Sequence, residues 1–156
     1  QRQMCIRDRQ NYTLFSEYVD VVPDPDKMTK VLRTVRRQIS QQAYEYIMVA
    51  AGSRPPDKAD VIYHFIVYGF ALGSKVTEAL HIPCVQRIFE IYRKARNEAH
   101  YFLEFIRFEE ISWQDHPVLY AVIEPENEVI DMVADHFTDR LNPEWFIVYD
   151  KSHGKE

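Results

Sequence analysis

Glycine, cysteine and long apolar runs are all scarce in this chain. Four glycines in 156 residues exclude a flexible glycine-rich tract and a collagen-like repeat. Two cysteines, Cys5 and Cys84, build neither a disulfide framework nor a four-ligand zinc site. That usage fits a reducing, cytoplasmic location. The most apolar stretch, VIYHFIVYGFAL at 61–72, is too short to cross a bilayer and reads as a core helix. No membrane partner is expected. The chain also lacks a Gly-rich phosphate loop, HExxH, GxSxG and CxxC, which disfavours the common nucleotide-binding and zinc-enzyme chemistries. No cofactor and no metal site is expected.

What is present is enough for one ordinary domain. Hydrophobic residues make up 46% and charged residues 28% of the chain, a balance that excludes a disordered polymer. A chain of this length buries about 70% of its unfolded surface, enough for one core. The first nine residues, QRQMCIRDR, read as the translation of a sequencing adapter and are set aside from fold reasoning. The alternative is a native basic arm. Residues 10–156 are then expected to form a single α+β domain, truncated at both ends.

Charge is distributed unevenly. Residues 27–96 hold twelve Lys or Arg against five acids, and residues 97–139 hold one Arg against eleven acids. A basic block can follow a phosphate backbone, whereas an acidic one repels it or receives a basic partner. Solvated helix faces carry similar runs.

The local pattern predicts four helices first. Asp24-Pro25 supplies an N-cap and a first-turn proline, and Met28, Val31, Leu32, Val35 and Ile39 form an apolar stripe. Ser40 caps a second helix. The break GSRPP at 52–56 precedes a third over 57–72, where Gly69 implies close helix contact. Pro83 opens a fourth, running to about Phe102. Phe105–Phe108 and Val118–Glu124 then read as strands, with Glu109–Pro117 as a loop. Asn127 is predicted to cap a fifth helix, and WFIVY at 145–149 to be a third strand. The order implies an α+β fold, with helices followed by strand-strand-helix-strand in a small, mainly antiparallel sheet.

Chemistry-bearing residues gather near element ends in the second half. His100, His136 and Glu124 are candidate acid–base groups. Arg107, Arg140 and Asn127 are candidate anion ligands. Arg96 and His100, like His136 and Arg140, are one turn apart and share a helix face. A single cleft is expected to collect Glu98 or His100 with Arg107, Glu124, Asn127, His136 and Arg140, because short connections bring consecutive elements together. The structural alternative is a hydrogen-bonded network, including an Arg107–Glu124 pair across the sheet. Lys30, Arg33, Arg36 and Arg37, with Arg93 and Arg96, are the candidate nucleic-acid surface on the two basic helices.

From Asp24 to Asp150 the chain resembles a family named for DNA metabolism, domain of unknown function 4130. The segments that carry the resemblance are VRRQIS at 35–40, YGFALGSKV at 68–76, RNEAHYFLEFIRF at 96–108, LYAVIEPENEVI at 119–130, HFTDR at 136–140 and WFIVYD at 145–150. The family's motifs fall on His100, Phe105, Arg107 and Phe108, then on Tyr120, Ala121, Glu124, Pro125 and Asn127, and then on His136, Phe137, Arg140 and Asp150. One departure is Glu104-Phe105, where the family usually has Gly-Phe. The resemblance implies a bacterial, cytoplasmic role in DNA repair or modification. It also implies a radical S-adenosylmethionine protein or a uracil-DNA-glycosylase-type domain as partner. The chain lacks the three-cysteine cluster of the radical enzyme itself. A protein-interaction module without nucleic-acid contact, and a small enzyme using His100 and His136, remain as alternative readings.

Overall fold

The computed structural model describes residues 22–156 apart from residue 115. The adapter reading of residues 1–9 therefore lies outside the described residues. Asp24 caps α1 (Pro25–Gln38), its carboxylate accepting from the Lys27 amide at 3.0 Å. Ser40 caps α2 (Gln41–Ala51) in the same way, accepting from the Ala43 amide at 3.0 Å. These caps satisfy helix-end donors that would otherwise lack partners. Then come α3 (Lys58–Leu72), a 3₁₀ segment (Gly73–Glu78) and α4 (Pro83–Phe105). β1 (Glu109–Trp113), β2 (His116–Ile123), α5 (Ile130–Arg140) and β3 (Phe146–Asp150) complete the order. The fold is α+β, as the pattern predicts.

The sheet has three strands in the order β1-β2-β3 and is mixed. β1 and β2 form an antiparallel hairpin, with Glu109 opposite Tyr120 and Trp113 opposite His116. β2 and β3 are parallel, with Leu119 opposite Phe146 and Ile123 opposite Asp150. A parallel pair requires a crossover, and α5 supplies it.

Two strand expectations are corrected. Phe105 ends α4 and residues 106–108 are irregular, so Phe105–Phe108 is not a strand. Ile106 and Phe108 are apolar because they pack on the core as the chain leaves the helix. Glu109–Trp113, expected as loop, is β1. It lies at the sheet edge with both faces largely exposed, so its sequence needs no alternation of polar and apolar residues.

Two apolar clusters are joined by α4, which at 23 residues is about 35 Å long. Val85, Ile88 and Ile91 of α4 pack with Val35, Ile47, Phe65 and their neighbours. Ala95 and Ala99, one to two turns on, pack with Ile123, Val133, Phe137 and Val148. Small residues at 95 and 99 leave room for the sheet and α5. Gly69 does the same for α1: a Cβ there would stand 2.5 Å from Ile39 Cδ1. The close contact expected at Gly69 is thus made by the end of α1.

Candidate functional site

The residues expected in one cleft are held by separate partners. His100 is exposed on α4 and bonds Glu104 at 3.1 Å. The charged group it contacts is therefore a carboxylate one turn ahead. Glu124 is exposed just beyond β2 and pairs with Lys151 at 2.6 Å. Arg107 lies in the irregular segment after α4, so the cross-strand pair with Glu124 does not form. His136 and Arg140 are exposed on α5, where the His136 ring meets Phe137 edge-on. Among the described residues, no hydrogen bond or ion pair links His100, Arg107, Glu124, His136 and Arg140 to one another.

Glu98 and Asn127 are brought together. Asn127 is 3% exposed and precedes α5 without capping it, the cap position being Val129. Its Nδ2 donates to Glu98 Oε2, and its Oδ1 accepts from the Arg54 amide at 3.0 Å. Glu98 also accepts from the backbone amides of Glu126 and Asn127. One buried amide thus ties α4, the α2–α3 loop and the approach to α5. Nearby, a Cβ on Gly52 would reach 3.0 Å from Glu128 Cβ, so the two loops meet closely. This cluster is a fully satisfied network, the arrangement that fixes helices to a sheet.

Asp150 and His153 form a pair that the residue pattern did not flag. Asp150 is wholly buried at the end of β3. Its Oδ2 lies 2.7 Å from His153 Nδ1, and its Oδ1 accepts from the His153 amide at 3.1 Å. A buried carboxylate on Nδ1 fixes the ring tautomer and leaves Nε2 for other work. The signal available in the sequence was Asp and His three apart after a strand. Glu128 and Lys155 bond at 2.6 Å beside them. That bond holds the Glu128 carboxyl below its ordinary pKa and raises the Lys155 ammonium. Among the described residues, no three His, Cys, Asp or Glu side chains are placed to hold a metal ion.

The basic helices present a different surface. Among the described residues, Lys30, Arg33, Arg36, Arg37, Arg93 and Arg96 are exposed and make no ion pair. Two of them lie over aromatic rings: Arg36 over Tyr44 at 5.8 Å and Arg96 over Tyr92 at 5.9 Å. Such stacking orients a guanidinium without neutralising it. The cations of the same block that do find carboxylates are Lys27 with Asp24, Arg87 with Asp57 and Glu90, and Lys94 with Glu126.

Two clefts run along α4 and share Arg87. The first, about 390 Å³, lies between α3 and the start of α4, with Val61, Ile82 and Pro83 as apolar lining and Asp60, His64 and Tyr68 among the polar groups. Cys84 also lines it, its thiol pKa raised by burial, so it is a protonated small hydrophobe at neutral pH. The second, about 370 Å³, is bounded by Pro55 and by Glu90, Arg93, Lys94 and Asn97 of α4. The Arg87 guanidinium between them takes Asp57 with both Nε and Nη2, at 2.8 and 3.1 Å. This bond lowers the Asp57 pKa and raises that of Arg87. Neither cleft contains the histidines or arginines expected to converge.

The family model of a domain of unknown function, DUF4130, matches residues 56–156, well over half of the chain, and the chain belongs to that family. The match starts in the loop before α3, later than the Asp24 at which the sequence resemblance begins. No curated protein and no solved structure matches the chain.

Proposed function

We propose that this chain is a DNA-binding domain of a DNA repair or modification system. In this reading α1 and α4 hold the phosphate backbone, and the acidic second half faces a protein partner. A radical S-adenosylmethionine protein or a uracil-DNA-glycosylase-type domain is the partner the sequence resemblance implies. The observation that carries the reading is the set of six exposed cations on α1 and α4 without carboxylate partners. Unmatched cations on helix faces are the electrostatic footprint of a polyanion.

The test is a salt titration on duplex DNA. Six phosphate contacts give a slope of about −5 for log K against log salt, whatever the sequence. Binding that ignores salt, or no binding at low salt, refutes the reading. A second reading, a protein-interaction module, is favoured by the outer face of α3. Tyr63, Val67 and Phe70, at steps of four and three, are each about half exposed and form an apolar stripe. That module would bind its partner with little salt dependence and would not bind DNA.

A further inference from the structure

The cleft between α3 and the start of α4 has the composition of a site for one planar, donor-bearing ring. At about 390 Å³ it lies near the lower end of the range of small-molecule sites, roughly 300–1,000 Å³. Its lining is mainly apolar, and Tyr68 contributes an aromatic ring, 42% exposed. Its polar groups are biased towards acceptors. Asp60 is a carboxylate. His64 Nδ1 lies 2.9 Å from the Asp60 carbonyl and 3.4 Å from Asp60 Oδ1, so Nδ1 is the donor on this wall; the tautomer protonated there has Nε2 as an acceptor, and Asp60 Oδ2 is the carboxylate oxygen left for a ligand. Arg87, the strong donor at the edge, is already taken up by Asp57 and Glu90. A ligand that satisfies this wall brings an amino group and an aromatic face. The adjoining cleft carries Arg93 and Lys94, about 10 Å along the α4 axis from Arg87; Glu90 in its lining is taken up by Arg87 and Lys94 is shared with Glu126 at 3.6 Å, so Arg93 is the cation that suits a phosphate.

We infer that these two clefts form one site for an unpaired nucleotide of a single strand. The base lies in the α3–α4 cleft against Tyr68, its amino group on Asp60, and the phosphate lies by Arg93. This rests on the DNA-binding reading above and adds a substrate class to it. Cytosine is favoured over thymine, because a carboxylate accepts from its N4 amino group, whereas thymine has no amino group to offer. Stacking on an aromatic ring is indifferent to sequence, so the preference comes from Asp60.

The experiment compares three twelve-nucleotide single strands: oligo(dC), oligo(dT) and an abasic sugar-phosphate strand of equal charge. The parent is expected to bind oligo(dC) about tenfold more tightly than the abasic strand, the order of one stacked base. Tyr68→Ala abolishes that difference and Tyr68→Phe keeps it, and Asp60→Asn brings oligo(dC) and oligo(dT) together. Alkylation of Cys84, located by peptide mass, is slowed by oligo(dC) and not by the abasic strand. A parent that binds duplex with the expected salt slope, yet treats oligo(dC) and the abasic strand alike, overturns the nucleotide site and leaves the DNA-binding reading standing. The nucleotide site is overturned equally if Tyr68→Ala keeps the preference, or if Cys84 is not protected. Absence of salt-dependent binding to duplex and to every single strand overturns both.

Discussion

Replacing Asn127 with Ala strands two partners at once. The Arg54 amide loses its acceptor and Glu98 Oε2 loses a donor, each facing the space left by a side chain that is 3% exposed. The expected cost is about 1–3 kcal/mol in urea unfolding. Asn127→Asp is the sharper substitution, because it sets a second carboxylate against Glu98. Its deficit should exceed that of Asn127→Ala at pH 7 and shrink as the pH falls into the carboxylate range. A variant as stable as the parent at pH 7 would mean that the network does not hold the loops. Arg87 offers a test through an attractive pair, with the same pH sense. Asp57 has its folded pKa lowered by the Arg87 hydrogen bond. The stability from that pair is therefore complete above the unfolded aspartate value of about 3.9 and lost as pH falls through the lower folded value. Both side chains are about two-fifths exposed, so Arg87→Gln should cost only about 0.5–1 kcal/mol at pH 7. The cost should shrink as the pH falls below the ordinary carboxylate range, and a deficit equal at neutral and acid pH contradicts the assignment.

The elements that were legible in the sequence are those whose signals are local. Asp24-Pro25 and Ser40 announce helices because capping needs only a side chain and the amide three residues on. The break before α3 is written in Gly52-Ser53-Arg54-Pro55-Pro56 for the same reason. β1 was not legible, because an edge strand of exposed residues owes its conformation to pairing with β2 rather than to its own pattern. The parallel pairing of β3 depends likewise on α5 packing back across the sheet. The candidate site was less legible than the fold. His100 and His136 are close to element ends in sequence, but helix phase points them to solvent, and Arg107 falls in the irregular segment after α4; no spacing rule reports either. Asn127 was found as a polar residue of consequence and misread as a cap, since its partners are 29 and 73 residues away. Helix contact at Gly69 was legible, and it supports a double-mutant cycle. Gly69→Ala gains about 1 kcal/mol of helix propensity. It also places a methyl 2.5 Å from Ile39 Cδ1, and overpacking costs about 1–3 kcal/mol. Ile39→Val removes that same δ-methyl. The double variant should therefore be more stable than the two single changes sum to, by about 0.5–3 kcal/mol of coupling. Simple additivity would show that Ile39 turns aside freely.

At the scale of the whole molecule, the charge division of the sequence becomes a division of surfaces. Six exposed cations without ion-pair partners among the described residues are on α1 and on α4, and both helices pack on α2. The described acids of residues 97–139 belong to the end of α4, β1, the connection between β2 and α5, and α5 itself. A polyanion approaching from the hairpin side meets repulsion, and one approaching the helical part meets attraction, so the field orients the encounter as well as strengthening it. If one duplex lies across α1 and α4 together, their contributions to the salt slope must add. Arg33→Ala/Arg36→Ala/Arg37→Ala should flatten the slope by about three units, and Arg93→Ala/Arg96→Ala by about two, near 0.9 per lost phosphate contact. The five-fold variant should flatten it by about five. All of these variants should unfold within about 0.5 kcal/mol of the parent per site, because the replaced side chains are exposed, with a further 0.5–1 kcal/mol where Arg36 and Arg96 leave their rings. Two separate sites would behave differently. The stronger site alone would set the slope, one set of substitutions would leave it unchanged, and the combined variant would flatten it no more than the other set alone.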